Sequence, residues 1–434
     1  MVALPIITND RNVREAEALI ARIDEALSSE QVLKAIVEGL PREVIEGVRR
    51  TLSVERHELS EAVHDYLEAK AGRPERLTSR VGADPGSSLI VSRIARGWSQ
   101  KELARRVFLP EQQIQRYEAE HYRSISLAGL IRIGRALGVR ITADLASAID
   151  SVFIPAFETS SSDLQKVLKH ARDAGWIERI GKSDDALITD IRRTIAEHVG
   201  EHGTPSLFRA GLKVREDSED WFLLAWKAQV TRKALAQQNR IRFRPTDVSW
   251  LSALVKLSAQ EDGPVAAQRM LAEHGIVLVI EPQIAGMGID AAAFLVGDTP
   301  VIAMTLLRDA IDNFWYTLLH EIGHVILHYR TGLAAGFFDD VESASVDEME
   351  AEADKFASNM LIPEQLWLRS PARISRSTAP MEKLAGQLGI SPAIVFGRIR
   401  FERKDFALFS DKIGRGTIRR LFEQKSKELV HDMA

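Results

Sequence analysis

Within NFWYTLLHEIGHVILH, residues 313–328, His320, Glu321 and His324 interrupt an otherwise apolar run. The run has the length and composition of a buried helix, and helical geometry puts positions four apart on one face, one turn above each other. His320 and His324 can thus offer two imidazole nitrogens to one ion, while Glu321 points to the flank of the same face. A catalytic zinc uses such an arrangement: two His ligands, a third protein ligand, an open position and a nearby carboxylate as proton carrier. The competing reading is a set of ordinary core polar residues. Burying two histidines and a glutamate without partners is costly, however, and a metal supplies the partners.

The third ligand should come from a separate acidic helix downstream, and DEMEAEADKFA offers Glu348, Glu350 and Glu352. Glu350 is preferred because Asp354 lies one turn beyond it and could receive the outer N–H of a ligating histidine. Glu352 points about 160° away from Glu350 and is expected at the surface. His328 extends the series HEIGHVILH, but eight residues span about 12 Å of helix, too far for His320 and His328 to share an ion. It is read as packing or as support for a ligand. His198 and His202, in AEHVGEHG, lack a nearby acidic partner and read as surface residues.

A second constellation lies in GWSQKELARRVFLPEQQIQRYEAEHYRSISLAGLIRIGRALGVR. Ser99 is placed to cap a short helix, Phe108 to Pro110 form a turn, and a second helix begins at Pro110 or Glu111 with Ile114 and Tyr117 facing inward. Residues 89–140 carry ten Arg or Lys against four acids, in a chain whose net charge is −4. Positive charge is thus concentrated where a phosphate backbone would be met. The second helix presents Glu111, Gln112, Gln113, Gln115 and Arg116 as candidate base readers, since amides suit adenine, Arg suits guanine and Glu can accept from cytosine. Gln100, Tyr122, Arg123 and Ser124 are expected on phosphates. The alternative is a protein-binding helical domain that does not touch DNA.

The elements around these constellations follow from composition and periodicity. The chain has 434 residues, 45% of them hydrophobic and 27% charged, enough for several cores. The expected class is mainly α with a small β-sheet, an α+β metal-site domain within a multidomain chain. With no cysteine, disulfides, thiol catalysis and Cys-based zinc sites are excluded, and any metal must use His and carboxylates. No membrane span and no targeting segment are read, and a cytoplasmic location is expected. The domains expected are a helical hairpin over 1–72 that could dimerise, a linker over 73–88 rich in Pro, Gly and Ser, and a helix-turn-helix domain over 89–145. A helical connecting domain over 146–261, a metal-site domain over 262–409 and a helical tail over 410–434 follow. GIVLVIEP and AAFLVGDTPVIAMT read as strands that precede the HEIGH helix.

GIVLVIEP, AFLVGDTPVIAM, WYTLLHEIGHVILH, EAEADKFASNMLIP and LGISPAIVFGRIRFER, taken in order over about residues 262–405, resemble the ImmA/IrrE family of zinc-dependent metallo-endopeptidases. The resemblance implies His320, His324 and Glu350 as Zn2+ ligands, Glu321 as base, and cleavage or inactivation of a partner repressor under stress. Asp354 stands where the family often has Asn. The AFLVGDTPVIAM hairpin is expected to receive an extended substrate as an added strand along a sheet edge. Residues 89–140 resemble the XRE/Cro-type helix-turn-helix, with some likeness to regulators of the antitoxin kind, and the matching readers are Glu111, Gln112 and Arg116. Phe108 departs from the glycine usual in that turn, and a distorted turn is expected because Phe resists positive φ.

The expected whole is a DNA-binding regulator, a homodimer on double-stranded operator DNA. Its fused zinc endopeptidase would cut a repressor, a toxin or the chain itself. The competing expectation is a repressor or antitoxin whose metal domain senses or binds a partner without turnover.

Overall fold

The computed structural model describes residues 7–29, 33, 37, 39–81, 85–119, 121–122, 125–139, 161–176, 183–199, 207–208, 221–237, 241–329, 333 and 343–432. The protein is mainly helical with one small mixed sheet, an α+β arrangement, and it divides into two compact units: residues 1–33 with 49–153, and residues 34–48 with 154–434. Among the described residues no helix is long and apolar enough to cross a membrane.

In the first unit, Asn9 caps α1 (Asp10–Ser28) by accepting from the Asn12 amide at 2.9 Å. Val13, Ala16, Ile23 and Ala26 form its buried stripe. Helix α2 (Arg42–Lys70) runs antiparallel to it, because Tyr66 Oη donates to Asp10 at 3.0 Å while Arg56 reaches Asp24 at 3.0 Å. The stretch expected as a linker is instead largely helical, as α3 (Glu75–Val81) and the start of α4 (Pro85–Ala95). Leu77 buries its side chain, and Arg76 and Arg80 both bond the buried Asp65. Pro85 opens a helix, where its missing N–H costs nothing.

Helices α4, α5 (Gln100–Arg106), α6 (Glu111–Ala119) and α7 (Leu127–Ala136) close around Leu89, Ile94, Leu103, Ile114, Ile133 and Leu137. Ser99 caps α5 through the Glu102 amide at 3.1 Å, and Ser126 caps α7 through the Gly129 amide at 3.2 Å. The α5–α6 turn is not distorted to spare Phe108. That residue adopts φ 55° and leaves its side chain 93% exposed. Left-handed backbone costs a residue with a Cβ about 1–2 kcal/mol, and the exposed ring provides little packing to offset it. Phe108→Gly is therefore expected to raise stability by about 1 kcal/mol, after the larger entropy of the unfolded glycine chain is deducted. Thermal denaturation of the full chain checks this, and a lower melting temperature would mean that the ring has a stabilising role in the fold.

The second unit is built on a sheet ordered β1-β3-β4-β2, from β1 (Leu207–Phe208), β2 (Val277–Ile280), β3 (Ala291–Val296) and β4 (Thr299–Met304). β3 and β4 form an antiparallel hairpin turned at Gly297, where φ is 60°, and β2 runs parallel to β4. Alternate residues Val277, Val279, Phe294, Val296, Val301 and Ala303 face a core shared with α8 (Ser161–Asp173), α9 (Asp184–Val199) and α10 (Trp221–Ala236). The middle helices are thus one wall of the sheet's own core, not a separate connecting domain. Sequence periodicity marks a helix's apolar stripe but not what the stripe packs against.

Beyond the short α11 (Leu251–Lys256), α12 (Gly263–Glu273) packs near β2, and α13 (Ile311–Leu327) packs under β3 and β4. α14 (Ser343–Leu361) lies along α13, followed by α15 (Glu364–Arg369), α16 (Ala379–Leu388) and α17 (Pro392–Glu402). The expected tail is part of the domain as α18 (Ile418–Asp432): Asp309 accepts from the amides of Gly416 and Ile418 at 2.9 and 3.0 Å.

Candidate metal centre and nucleic-acid interface

Helix α13 is apolar nearly all round and buries Phe314, Trp315, Leu318, Leu319, Ile322, Val325 and Ile326 together with His320, Glu321 and His324. Gly323 allows α14 to come close: a Cβ there would stand 3.2 Å from Ala353 Cα and 3.3 Å from the Phe356 ring. Two helices packed along a Gly323–Ala353 seam bring polar side chains from both flanks of α14 within reach of α13.

Glu350 reaches over that seam. Its Oε2 lies 3.2 Å from His320 Nε2 and its Oε1 3.3 Å from His324 Nε2, while the two Nε2 atoms are 3.1 Å apart. Among the described residues His320, His324 and Glu350 are the group whose donor atoms, all within 4.8 Å of one another, could hold a metal ion. Burial pushes His324 down to about 4, so its imidazole is neutral near pH 7. Burial opposes ionisation of Glu350, but its pairing with the two imidazoles outweighs this and holds the carboxyl at about 2. A neutral imidazole at His324 and a carboxylate at Glu350 are protonation states that a divalent ion requires.

The outer hydrogen bonds fix which nitrogens face inward. Asp354 Oδ1 lies 2.9 Å from His320 Nδ1 and accepts from Tyr316 Oη at 2.9 Å. His324 Nδ1 lies 3.1 Å from His328 Nδ1, and His328 Nε2 lies 3.0 Å from Glu352. The consistent assignment has His328 Nε2–H donating to Glu352 and His328 Nδ1 accepting from His324 Nδ1–H. In that assignment His320 and His324 both turn Nε2 toward the Glu350 carboxylate. Converging acceptors repel one another unless a cation lies between them, so the residues fit a bound metal.

Asp354, expected to receive the outer N–H of a histidine, lies against His320, and His328, read as packing or as support, lies against His324. Glu352, expected to be surface- or loop-facing, keeps a partly exposed side chain but also bonds His328, a contact that the sequence reading missed. Angular arithmetic around one helix overlooks that a helix packed along Ala353 presents both flanks, Glu350 and Asp354 on one side and Glu352 on the other. Replacing a partner of this kind costs about 10–100-fold in metal affinity. Asp354→Ala, which frees a ligand directly, is expected toward the upper end, and Glu352→Ala, one residue further out, toward the lower. Competition against a fluorescent zinc chelator measures both, and changes below about twofold in both would remove the relay from the account.

In the helix-turn-helix, Glu111, Gln112, Gln115 and Arg116 lie exposed along one face of α6, while Ile114 is fully buried. Three expected contacts are engaged elsewhere. Gln100 donates to Glu118 at 2.9 Å, Gln113 donates to Tyr117 Oη at 2.6 Å, and Tyr122 is buried with φ 60°. Tyr122 therefore belongs to the fold and not to a phosphate-facing surface; Arg123 and Ser124 lie outside the described residues. The sequence reading missed the buried Arg93–Glu118 pair, with Nε–Oε1 at 2.6 Å and Nη2–Oε2 at 2.8 Å. Removing one basic and one acidic residue together leaves the positive surplus of the segment unchanged.

One chain therefore carries a four-helix, helix-turn-helix domain and an α+β domain whose buried HExxH helix meets a glutamate from a second helix. Residues 92–143 match the family model described as Helix-turn-helix, and residues 272–400 match the one described as IrrE N-terminal-like domain. The protein joins an XRE-type helix-turn-helix to an IrrE-like domain of the metallopeptidase type. No curated relative and no solved structure matches the chain.

Proposed function

We propose that this protein is a DNA-binding regulator with a fused zinc-dependent endopeptidase, which switches transcription by cleaving a partner repressor, a toxin or its own chain. The observation that carries the reading is the convergence of His320, His324 and Glu350 beside the buried Glu321 on one side of α13. His320, His324 and Glu350 would hold Zn2+, with Asp354 and the His328–Glu352 pair keeping the two imidazoles oriented. Zn2+ held there would supply Lewis acidity toward a scissile carbonyl and toward water near neutral pH. Glu321 takes the proton from the attacking water and delivers it to the leaving amine, so that hydroxyl ends on the new carboxyl and hydrogen on the new amine.

Extended substrate would enter as an added strand at the β1-β3-β4-β2 sheet. The hairpin as a whole was expected to serve as this rail, but β4 is interior to the sheet, between β3 and β2. On β3, β1 pairs with Ala292 and Ala293. Strand addition of this kind selects loops and unfolded segments.

At the other unit, Glu111, Gln112 and Arg116 would read bases in double-stranded operator DNA, and the helical pair α1–α2 would supply the homodimer that a two-fold operator calls for. Placement at a promoter, in the cytoplasm and under stress or toxin control, follows from this combination.

The test is a protein-terminus map of host cells carrying either the wild type or Glu321→Gln. A new terminus present only with the wild type identifies the substrate. Identical maps across several stresses would move the reading to a regulator whose metal domain senses or binds a partner without turnover.

A further inference from the structure

A cavity of about 970 Å³ opens in the second unit, between α10, α12, α18 and the edge of β2. Lys233, Arg269, Arg419 and Lys425 line it, against one acid, Glu423. Its apolar wall includes Ile280, Leu306 and Phe422.

The four cations differ in how well they are balanced. Lys233 is neutralised by the buried Glu281 at 2.6 Å. Arg419 donates to the Leu306 carbonyl at 2.7 Å, and Lys425 to the Gln268 side-chain oxygen at 2.8 Å, both uncharged acceptors. Arg269 meets Asp262 only at 3.4 Å, with both side chains more than 60% exposed, a pairing that contributes little. Burial and then the charge of Arg269 lower the Lys425 ammonium from its ordinary range. Three cations are thus gathered at one opening with less negative charge than they need. Like charges held together at a half-buried surface are a cost that a bound anion would offset.

Shape decides the kind of anion. β2 is an edge strand, but α18 covers this side of it. α18 is pinned at its start by Asp309 and further along by Lys425 on Gln268, and the Leu278 carbonyl is already taken by Gln268 Nε2 at 2.8 Å. An added peptide strand would find the Leu278 carbonyl already engaged. A compact molecule has no need of that carbonyl, and cavities of roughly 300–1,000 Å³ hold small ligands through apolar contact and a few placed polar groups.

We infer that this cavity binds a small organic anion, a carboxylate or phosphate group on an apolar or aromatic body, with Arg269, Arg419 and Lys425 meeting the anionic group and Phe422, Leu306 and Ile280 the body. The site is separate from the metal centre, and the inference does not rest on the peptidase reading. Its lining does touch the segment leading into α13: Leu306 forms part of the wall, and the Ile311 amide at the start of α13 donates to the Ile413 carbonyl at 2.9 Å, just ahead of α18. The ligand would thus bear on the elements that seat the metal helix, as an effector would.

Titration calorimetry of the full chain with phenyl phosphate, benzoate and the uncharged benzyl alcohol tests the site. One of the two anions is expected to bind one per chain and at least about tenfold more tightly than benzyl alcohol, and the tighter of the two identifies the preferred group. The double variant Arg269→Gln/Lys425→Gln should lose about tenfold or more of that affinity. The comparison with benzyl alcohol uses the wild type alone and stands even if the variant misfolds. Equal binding of the anions and benzyl alcohol, unchanged affinity in a folded double variant, or no binding of either anion up to about 10 mM would each overturn the proposal.

Discussion

Glu118→Ala is expected to cost the helix-turn-helix about 3–5 kcal/mol, the scale on which removing one partner strands a buried charge. Arg93 and Glu118 are 1% and 3% exposed, yet they lie in a domain whose surface charge is meant for DNA. All three guanidinium nitrogens are engaged: Nε and Nη2 on the carboxylate, Nη1 on the Trp98 carbonyl at 2.7 Å, and Nη2 also on the Thr8 carbonyl at 2.7 Å. Gln100 adds a third donor to Glu118. Removing the carboxylate leaves a desolvated cation facing neutral carbonyls and frees the start of α5. Hydrogen exchange of the α4–α7 amides in the full chain reads the loss locally, without assuming that both units unfold together. Arg93→Met/Glu118→Leu should recover much of it, because apolar replacement of both partners removes the stranded charge. A loss below about 1 kcal/mol would place the pair among ordinary surface ion pairs and would sink this account.

The same pair shows what could be read from the sequence and what could not. Arg93 and Glu118 are 25 residues apart, and nothing local separates a buried arginine from one that meets phosphate. Ile114, by contrast, was legible because its burial follows from helical spacing within a single element. At the candidate metal centre, His320 and His324 lie one turn apart on one helix, and Glu350 with Asp354 one turn apart on another, so their grouping could be anticipated from intrahelical geometry. The Glu352–His328 bond was missed because it depends on where α14 crosses α13, a fact carried by Gly323 and Ala353 and invisible to either helix alone. Residues 73–88 misled through composition: Pro, Gly and Ser suggested a linker, but Leu77 had a core to enter and Pro85 a helix to begin. Phe108 was rightly marked as ill suited to a left-handed turn, yet the packing of α5 on α6 imposes that turn regardless.

The largest expected effect on chemistry falls on Glu321. Glu321→Gln is expected to slow peptide cleavage by about 10²–10⁴-fold, the range a positioned general base contributes, while zinc stoichiometry stays unchanged. The substitution keeps the shape and the helix and removes only the ability to take a proton. Glu321 is not a member of the His320–His324–Glu350 donor group, so metal retention follows from geometry. His324→Ala should behave differently, losing zinc and activity together, because its Nε2 is one of the three converging donors. Measuring new amino termini released from an unfolded protein probe, beside zinc content by elemental analysis, separates the two variants. If Glu321→Gln cleaves as fast as the wild type, the proton carrier has been misassigned. If neither cleaves the probe or the native target while both hold zinc, the metal is a scaffold, and the buried carboxylate beside it would serve folding or partner binding instead of turnover.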